Sequence, residues 1–155
     1  MLPLLVVWLW MGAAHASHYP LEVLAEEGWL QEDQLSDLRR FGLRDTRHLL
    51  LRTATPQERR DLARSTDLSE AQLLRLARLC EFLQIEGIGT YAAGLLMAVG
   101  VSDIQRFANE DPAALHLRLQ EHLQGDPEGR EAPPQTTLAT WMELASQVPV
   151  LVVGP

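Results

Sequence analysis

Residues 85–101 read IEGIGTYAAGLLMAVGV, and this stretch decides how the rest of the chain is read. Gly87 and Gly89 flank Ile88, helix-forming residues follow, and Gly100 closes the run. Glycines permit a tight turn and let a backbone approach a ligand closely. The first-turn N–H groups of the helix that follows, together with its dipole, favour an anion. The stretch is therefore either a phosphate-gripping hairpin or a tight turn between two packed helices. In the first case the donors are the N–H groups of Gly87, Ile88, Gly89, Thr90 and Tyr91.

Working outward, the pattern from residue 20 onward is helical, with no period-2 stretch long enough for a strand. A helix is expected over Asp33–Phe41, stopped by Gly42, and Asp45 caps another through Leu51. Thr55, Pro56 and Glu58 form a start signal of N-cap, first-position proline and capping box, and Ser69 with Gln72 repeats it. The helix after Ser69 carries Leu73, Leu76, Ala77, Cys80 and Leu83 on one stripe. A turn at 86–89 leads into a helix from Thr90 to Val99. Ser102 with Gln105 opens a short helix to Ala108, and Asp111-Pro112 opens one to Leu123. The Pro/Gly-rich segment 125–135 reads as a polar connector. Leu138, Trp141, Met142, Ala145 and Val148 mark a last amphipathic helix ended by Pro149, and the tail at 150–155 is expected to pack on the bundle.

An internal echo accompanies this order. LRRFGLRDTRHL at 38–49 aligns without gaps on LMAVGVSDIQRF at 96–107, matching Gly42 to Gly100 and Asp45 to Asp103. Each copy is followed by a Thr-Pro or Asp-Pro helix start, so the repeat spans roughly 56–58 residues of short helices that bury their faces on one another.

At 155 residues the chain suits one domain with its own core, and 46% apolar with 22% charged residues is globular composition. One cysteine excludes an internal disulfide and a cysteine-rich metal cluster. The net charge of −8 disfavours nucleic acid and anionic membrane. That charge is uneven. Residues 1–38 hold six acids and no base, residues 39–78 hold ten arginines against five acids, and residues 79–155 hold three arginines against ten acids. All thirteen bases are arginine, which reflects either codon bias or a preference for bidentate anion pairing.

The segments IEGIGTYAAGLLMAVGV, SDIQRFANEDPAALHLRLQE, FGLRDTRHLLLRTATPQERRDLARSTDLSEAQLLRLARLCEFLQI and PPQTTLATWMELASQVP, in that set, resemble a family of small bacterial and archaeal tandem helix-hairpin-helix proteins labelled only as a domain of unknown function. The resemblance covers about residues 28–149. It implies an all-α single domain of about eight short helices in two pseudo-repeated units, 28–84 and 85–149, within a domain at 20–149. The second hairpin (85–99) is well formed and the first (28–41) degenerate. It also implies no cofactor and no demonstrated enzyme activity, and no metal site is expected from the residues. Helix-hairpin-helix units elsewhere bind DNA without sequence preference, through the turn amides. Two features of this chain depart from that pattern. Thr90-Tyr91-Ala92-Ala93 stand where lysine or arginine usually follows the second glycine, and Glu86 precedes the turn. The first hairpin, GWLQEDQLSDL at 28–38, lacks the second glycine and carries three acids.

Arg39, Arg40, Arg44, Arg47 and Arg52, with Arg59, Arg60 and Arg64, either gather into a positive face for nucleic-acid backbone or pair with Glu58, Asp61 and the acids at 22–37. Cys80 lies on an apolar stripe and reads as a buried structural thiol. His116 and His122 stand six apart and share no metal-binding face. His48 reads as a core or boundary side chain, and Trp29 and Trp141 fill the core or, if exposed, anchor a partner. No catalytic residue is expected. The expected function is a non-catalytic binding module, whose partner is nucleic-acid backbone or an unidentified protein, with no small-molecule substrate and no membrane span. The leader MLPLLVVWLWMGAAHAS has the apolar length and the Ala14-His15-Ala16 site of an export signal but no base before it. Residues 1–16 are thus a cleaved signal, a misassigned start or an apolar terminal helix, and the location is periplasmic or cytoplasmic accordingly.

Overall fold

Short side chains set where most of the helices begin. Asp45 accepts from the His48 N–H, Thr55 from Glu58, Ser69 from Gln72, and Asp111 from Ala114, each filling one of the orphan donors of a first turn. The computed structural model describes residues 18–154, so the leader reading of residues 1–16 lies outside the described residues. Among these the chain forms nine helices and no strand: α1 (Leu21–Glu26), α2 (Glu32–Arg40), α3 (Thr46–Thr53), α4 (Pro56–Ser65), α5 (Glu70–Phe82), α6 (Thr90–Ala98), α7 (Ile104–Ala108), α8 (Pro112–His122) and α9 (Gln135–Ala145). One isolated antiparallel bridge pairs Pro20 with Asp45.

The all-α class stands, with one helix more than the eight expected. The addition is α1, which has Pro20 at its N-cap and so no side-chain cap to announce it. A second correction concerns α7. Its cap is Asp103, which accepts from the Arg106 N–H at 2.8 Å, while the Ser102 hydroxyl turns to the Asp103 carboxylate instead. The last helix stops at Ala145, before the Pro149 that was expected to end it.

The same hydrogen bonds recur 58 positions apart. Gly42 N–H donates to Arg39 O and Leu43 N–H to Leu38 O; Gly100 N–H donates to Met97 O and Val101 N–H to Leu96 O. Both glycines have positive φ, +77° and +90°, which closes α2 and α6 in the same way. Asp45 and Asp103 then cap α3 and α7.

The core is leucine-rich and contiguous, and α5 runs through it against α3, α4, α6 and α7. The stripe of Leu73, Leu76, Ala77, Cys80 and Leu83 is buried, joined by Leu79 and Phe82. Each fully buried leucine contributes on the order of 2 kcal/mol. Phe82 meets Phe107 of α7 edge to face, with ring centroids 6.0 Å apart. Helix α9 closes the other side against α7 and α8. The tail returns to α3–α5, where Val152 is buried and the Val153 N–H donates to Ala54 O at 2.9 Å.

Candidate functional site

The Gly-Ile-Gly turn joins α5 to α6. Ile88 is fully buried and its N–H donates to Ile85 O at 3.1 Å, so this amide closes the turn and is not offered outward. Gly87 has φ +89°, and a Cβ there would lie 2.7 Å from Nε1 of Trp141 on α9. Gly89 is different. Its backbone is extended, it is the N-cap of α6, and a Cβ there would meet only the Tyr19 hydroxyl at 3.4 Å.

Gly89 offers α6 no side-chain cap. An acid comes in from the end of α1: the Thr90 hydroxyl donates to Oε1 of Glu27 at 2.6 Å. A carboxylate of the protein itself therefore sits beside the positive end of α6, where a helix dipole favours negative charge.

Thr90 and Tyr91 open onto a cleft of about 680 Å³ walled by the turn after α1, by α5, by α6 and by residues 122–130. Two stacked pairs line it. The Arg75 guanidinium carbon lies 4.8 Å from the Trp29 ring centroid, and that of Arg130 lies 4.8 Å from the Tyr91 centroid. Such a stack contributes about 0.5–1 kcal/mol at an exposed site. Gly94 lets Trp29 lie on α6, since a Cβ there would sit 2.9 Å from the indole. Arg130 is also clamped to Asp126, with N···O distances down to 2.6 Å, and this holds the Asp126 carboxyl down to about 2. Arg75 is exposed and makes no ion pair among the described residues.

The arginines singled out in the sequence do not meet at this cleft. Arg39 pairs with Glu22, and Arg40 with Asp37 at 3.2 Å, as the acids upstream allowed. Arg64 pairs with Asp61, and Arg60 donates to Gln57. Arg44, Arg47 and Arg52 are exposed and carry no ion pair among the described residues. Arg59 corrects the reading of a solvated face: it is only 2% exposed. Its guanidinium donates to Thr53 O at 2.8 Å, Ala54 O at 3.0 Å and Val153 O at 2.7 Å. Burial pulls its pKa below arginine's ordinary value, and the nearby charge of Arg78 adds to that.

Cys80 is fully buried, and burial pushes its thiol up, away from thiolate chemistry. His48 is exposed, its ring 3.1 Å from Asp45, which corrects its reading as a core or boundary side chain. His116 Nδ1 lies 2.7 Å from Pro133 O and ties α8 to the connector, while His122 lines the cleft. Trp29 and Trp141 are half-buried against the core. Sequence reasoning did not single out Arg75, Arg130 or Glu27, because each is joined to its aromatic or hydroxyl partner only through the fold. Glu81 did leave a signal, as the one acid in the apolar run LARLCEFLQI.

These features define a small all-helical protein built around a tight Gly-Ile-Gly turn, with an aromatic and arginine-lined cleft beside it. The chain belongs to the family described as Domain of unknown function (DUF4332), whose profile matches residues 29–148. No curated protein and no solved structure matches the chain. Among the described residues, no helix is long and apolar enough to cross a membrane.

Proposed function

We propose that the chain is a non-catalytic protein-interaction module of tandem helix-hairpin-helix design, in which the turn at 86–91 is a folding device and the adjoining cleft takes the partner. The observation that carries this reading is the Thr90–Glu27 hydrogen bond. A phosphate at the α6 N-terminus would meet the Glu27 carboxylate, and like charges at such a distance repel. The Ile88 amide is already used within the turn, which leaves Gly87, Gly89, Thr90 and Tyr91 of the five candidate donors. The cleft beside them has the chemistry of a protein contact: a half-buried tryptophan, an exposed tyrosine and two arginines, the residue types that dominate interface hot spots. A photo-crosslinking residue at Tyr91, with a control at the exposed Leu117 of α8, tests this in the native cell. A discrete protein adduct at 91 and none at 117 is expected. Equal labelling at both positions would sink the reading.

One observation favours nucleic-acid backbone as a second reading. Arg44, Arg47 and Arg52 are exposed without ion pairs among the described residues, and they stand close in sequence to Arg39 and Arg40. Arginines of this kind contact phosphates, and their contribution falls steeply with salt. Titration of labelled duplex DNA at low and moderate salt separates the readings. Binding at low salt that Arg44→Ala and Arg47→Ala weaken supports the second, and no binding even at low salt disposes of it.

A further inference from the structure

The tail from Leu151 to Gly154 is held mainly through its main chain. Glu81 Oε1 on α5 accepts from the N–H of Leu151 at 2.7 Å and of Val152 at 3.0 Å. Ala54 O accepts from Val153 N–H. Arg59 donates to Val153 O, and Arg78 donates to Val152 O at 3.3 Å and to Gly154 O at 3.0 Å. The groove therefore meets every residue from 151 to 154 at a backbone atom, and it does so with three charged side chains from α4 and α5. Buried charges survive only where they are paired and hydrogen-bonded, so a site of this kind is built rather than incidental.

Side chains add little. Among residues 150–153, Val152 alone is buried, while Val150, Leu151 and Val153 expose about half of their surface or somewhat less. Gly154 has φ +81° and lies against Pro56, where a Cβ would approach Cγ to 3.0 Å. The pattern read is aliphatic–valine–aliphatic–glycine in a segment outside any helix.

We propose that the groove between α4 and α5 is an exchangeable peptide site, which holds residues 151–154 reversibly and takes the same aliphatic–valine–aliphatic–glycine segment when a partner chain offers it. Three observations converge on exchange. The groove is pre-organised without the tail, because Arg59 is anchored on Thr53 O and Ala54 O and Arg78 lies 3.7 Å from Glu81 Oε2. Residues 146–148 stay hydrogen-bonded to the last turn of α9 and Val148 packs on the core, so the link to the first docked residue is Pro149 and Val150, exposed and outside any helix, and the tail can swing there without unwinding α9. Glu81 Oε2 is fully buried with no hydrogen-bond donor, so the bound tail leaves part of the site's capacity unmet.

The probe is a labelled peptide of residues 148–155, VPVLVVGP, read by fluorescence anisotropy against the full chain carrying Val152→Asp, which weakens the resident tail. Saturable binding is expected. The wild-type chain should bind at least about tenfold more weakly, because its own tail competes at the high effective concentration of a short tether. A peptide with aspartate at the buried valine should not bind. Failure of the peptide to saturate the Val152→Asp chain, or equal binding of a scrambled peptide, overturns the proposal. Should that variant not fold, amide hydrogen exchange on the wild type decides. The N–H groups of Leu151, Val152 and Val153 should exchange at least about tenfold faster than those of Leu79 and Cys80 in α5. Equal rates would mean that the tail opens only with global unfolding, and the site is not exchangeable.

Discussion

Gly87 and Gly89 look alike in the sequence and are asked to do different things. Gly87 combines a left-handed backbone with Trp141 against its Cα, while Gly89 has an ordinary extended backbone and only the Tyr19 hydroxyl nearby. Gly87→Ala should therefore cost about 1–3 kcal/mol, the usual range for a strained backbone, with the indole clash added to it. Gly89→Ala should cost under about 1 kcal/mol. Urea midpoints of the two variants check the ranking, and equal losses would show that the Trp141 contact does not constrain the turn. The glycine spacing in the sequence pointed to the turn but not to this asymmetry, which depends on a side chain 54 positions away. Glu27 was equally out of reach, since nothing local to residue 90 says that a carboxylate from the end of α1 will meet its hydroxyl.

At the scale of the helix, local chemistry was more legible. Asp45, Thr55, Ser69 and Asp111 each cap the helix that their spacing announced, because capping is decided within four residues. Helix α1 was missed for the same reason inverted: Pro20 at its N-cap offers no side-chain signal, and packing of Leu21 and Leu24 holds the helix instead. Ser102 with Gln105 was the expected start of α7, and the cap is instead its neighbour Asp103. Asp103 bonds the Arg106 N–H, and Ser102 reaches no further than Asp103. Asp103→Ala should thus cost about 1 kcal/mol and Ser102→Ala no more than about 0.5 kcal/mol. Thermal unfolding of both variants tests the assignment, and the reverse order would return the cap to Ser102.

For the whole molecule, the arginine-rich block from 39 to 64 divides into two populations that the sequence could not separate. Arg44 and Arg47 stand in solvent, whereas Arg59 lies under the tail and joins three carbonyls from α3 and the chain end. The apolar stripe of α5 marked the core, but a buried arginine has no periodic signature when its partners are main-chain oxygens, one of them 94 residues away. Removing Arg59 leaves those carbonyls facing a site from which water is largely excluded. Hydrogen bonds from a charged group contribute about 1.5–3 kcal/mol each, and a buried acceptor left alone bears its desolvation cost. Arg59→Met keeps the aliphatic stem and deletes only the donors, so it should destabilise the fold by about 2–4 kcal/mol and loosen the tail at the same time. Arg47→Met, on an exposed face of α3, should stay within about 0.5 kcal/mol of wild type. Guanidinium unfolding combined with limited proteolysis after residue 148 reads both effects. A stable Arg59→Met chain with a protected tail would show that the tail and α3 hold together without the buried guanidinium.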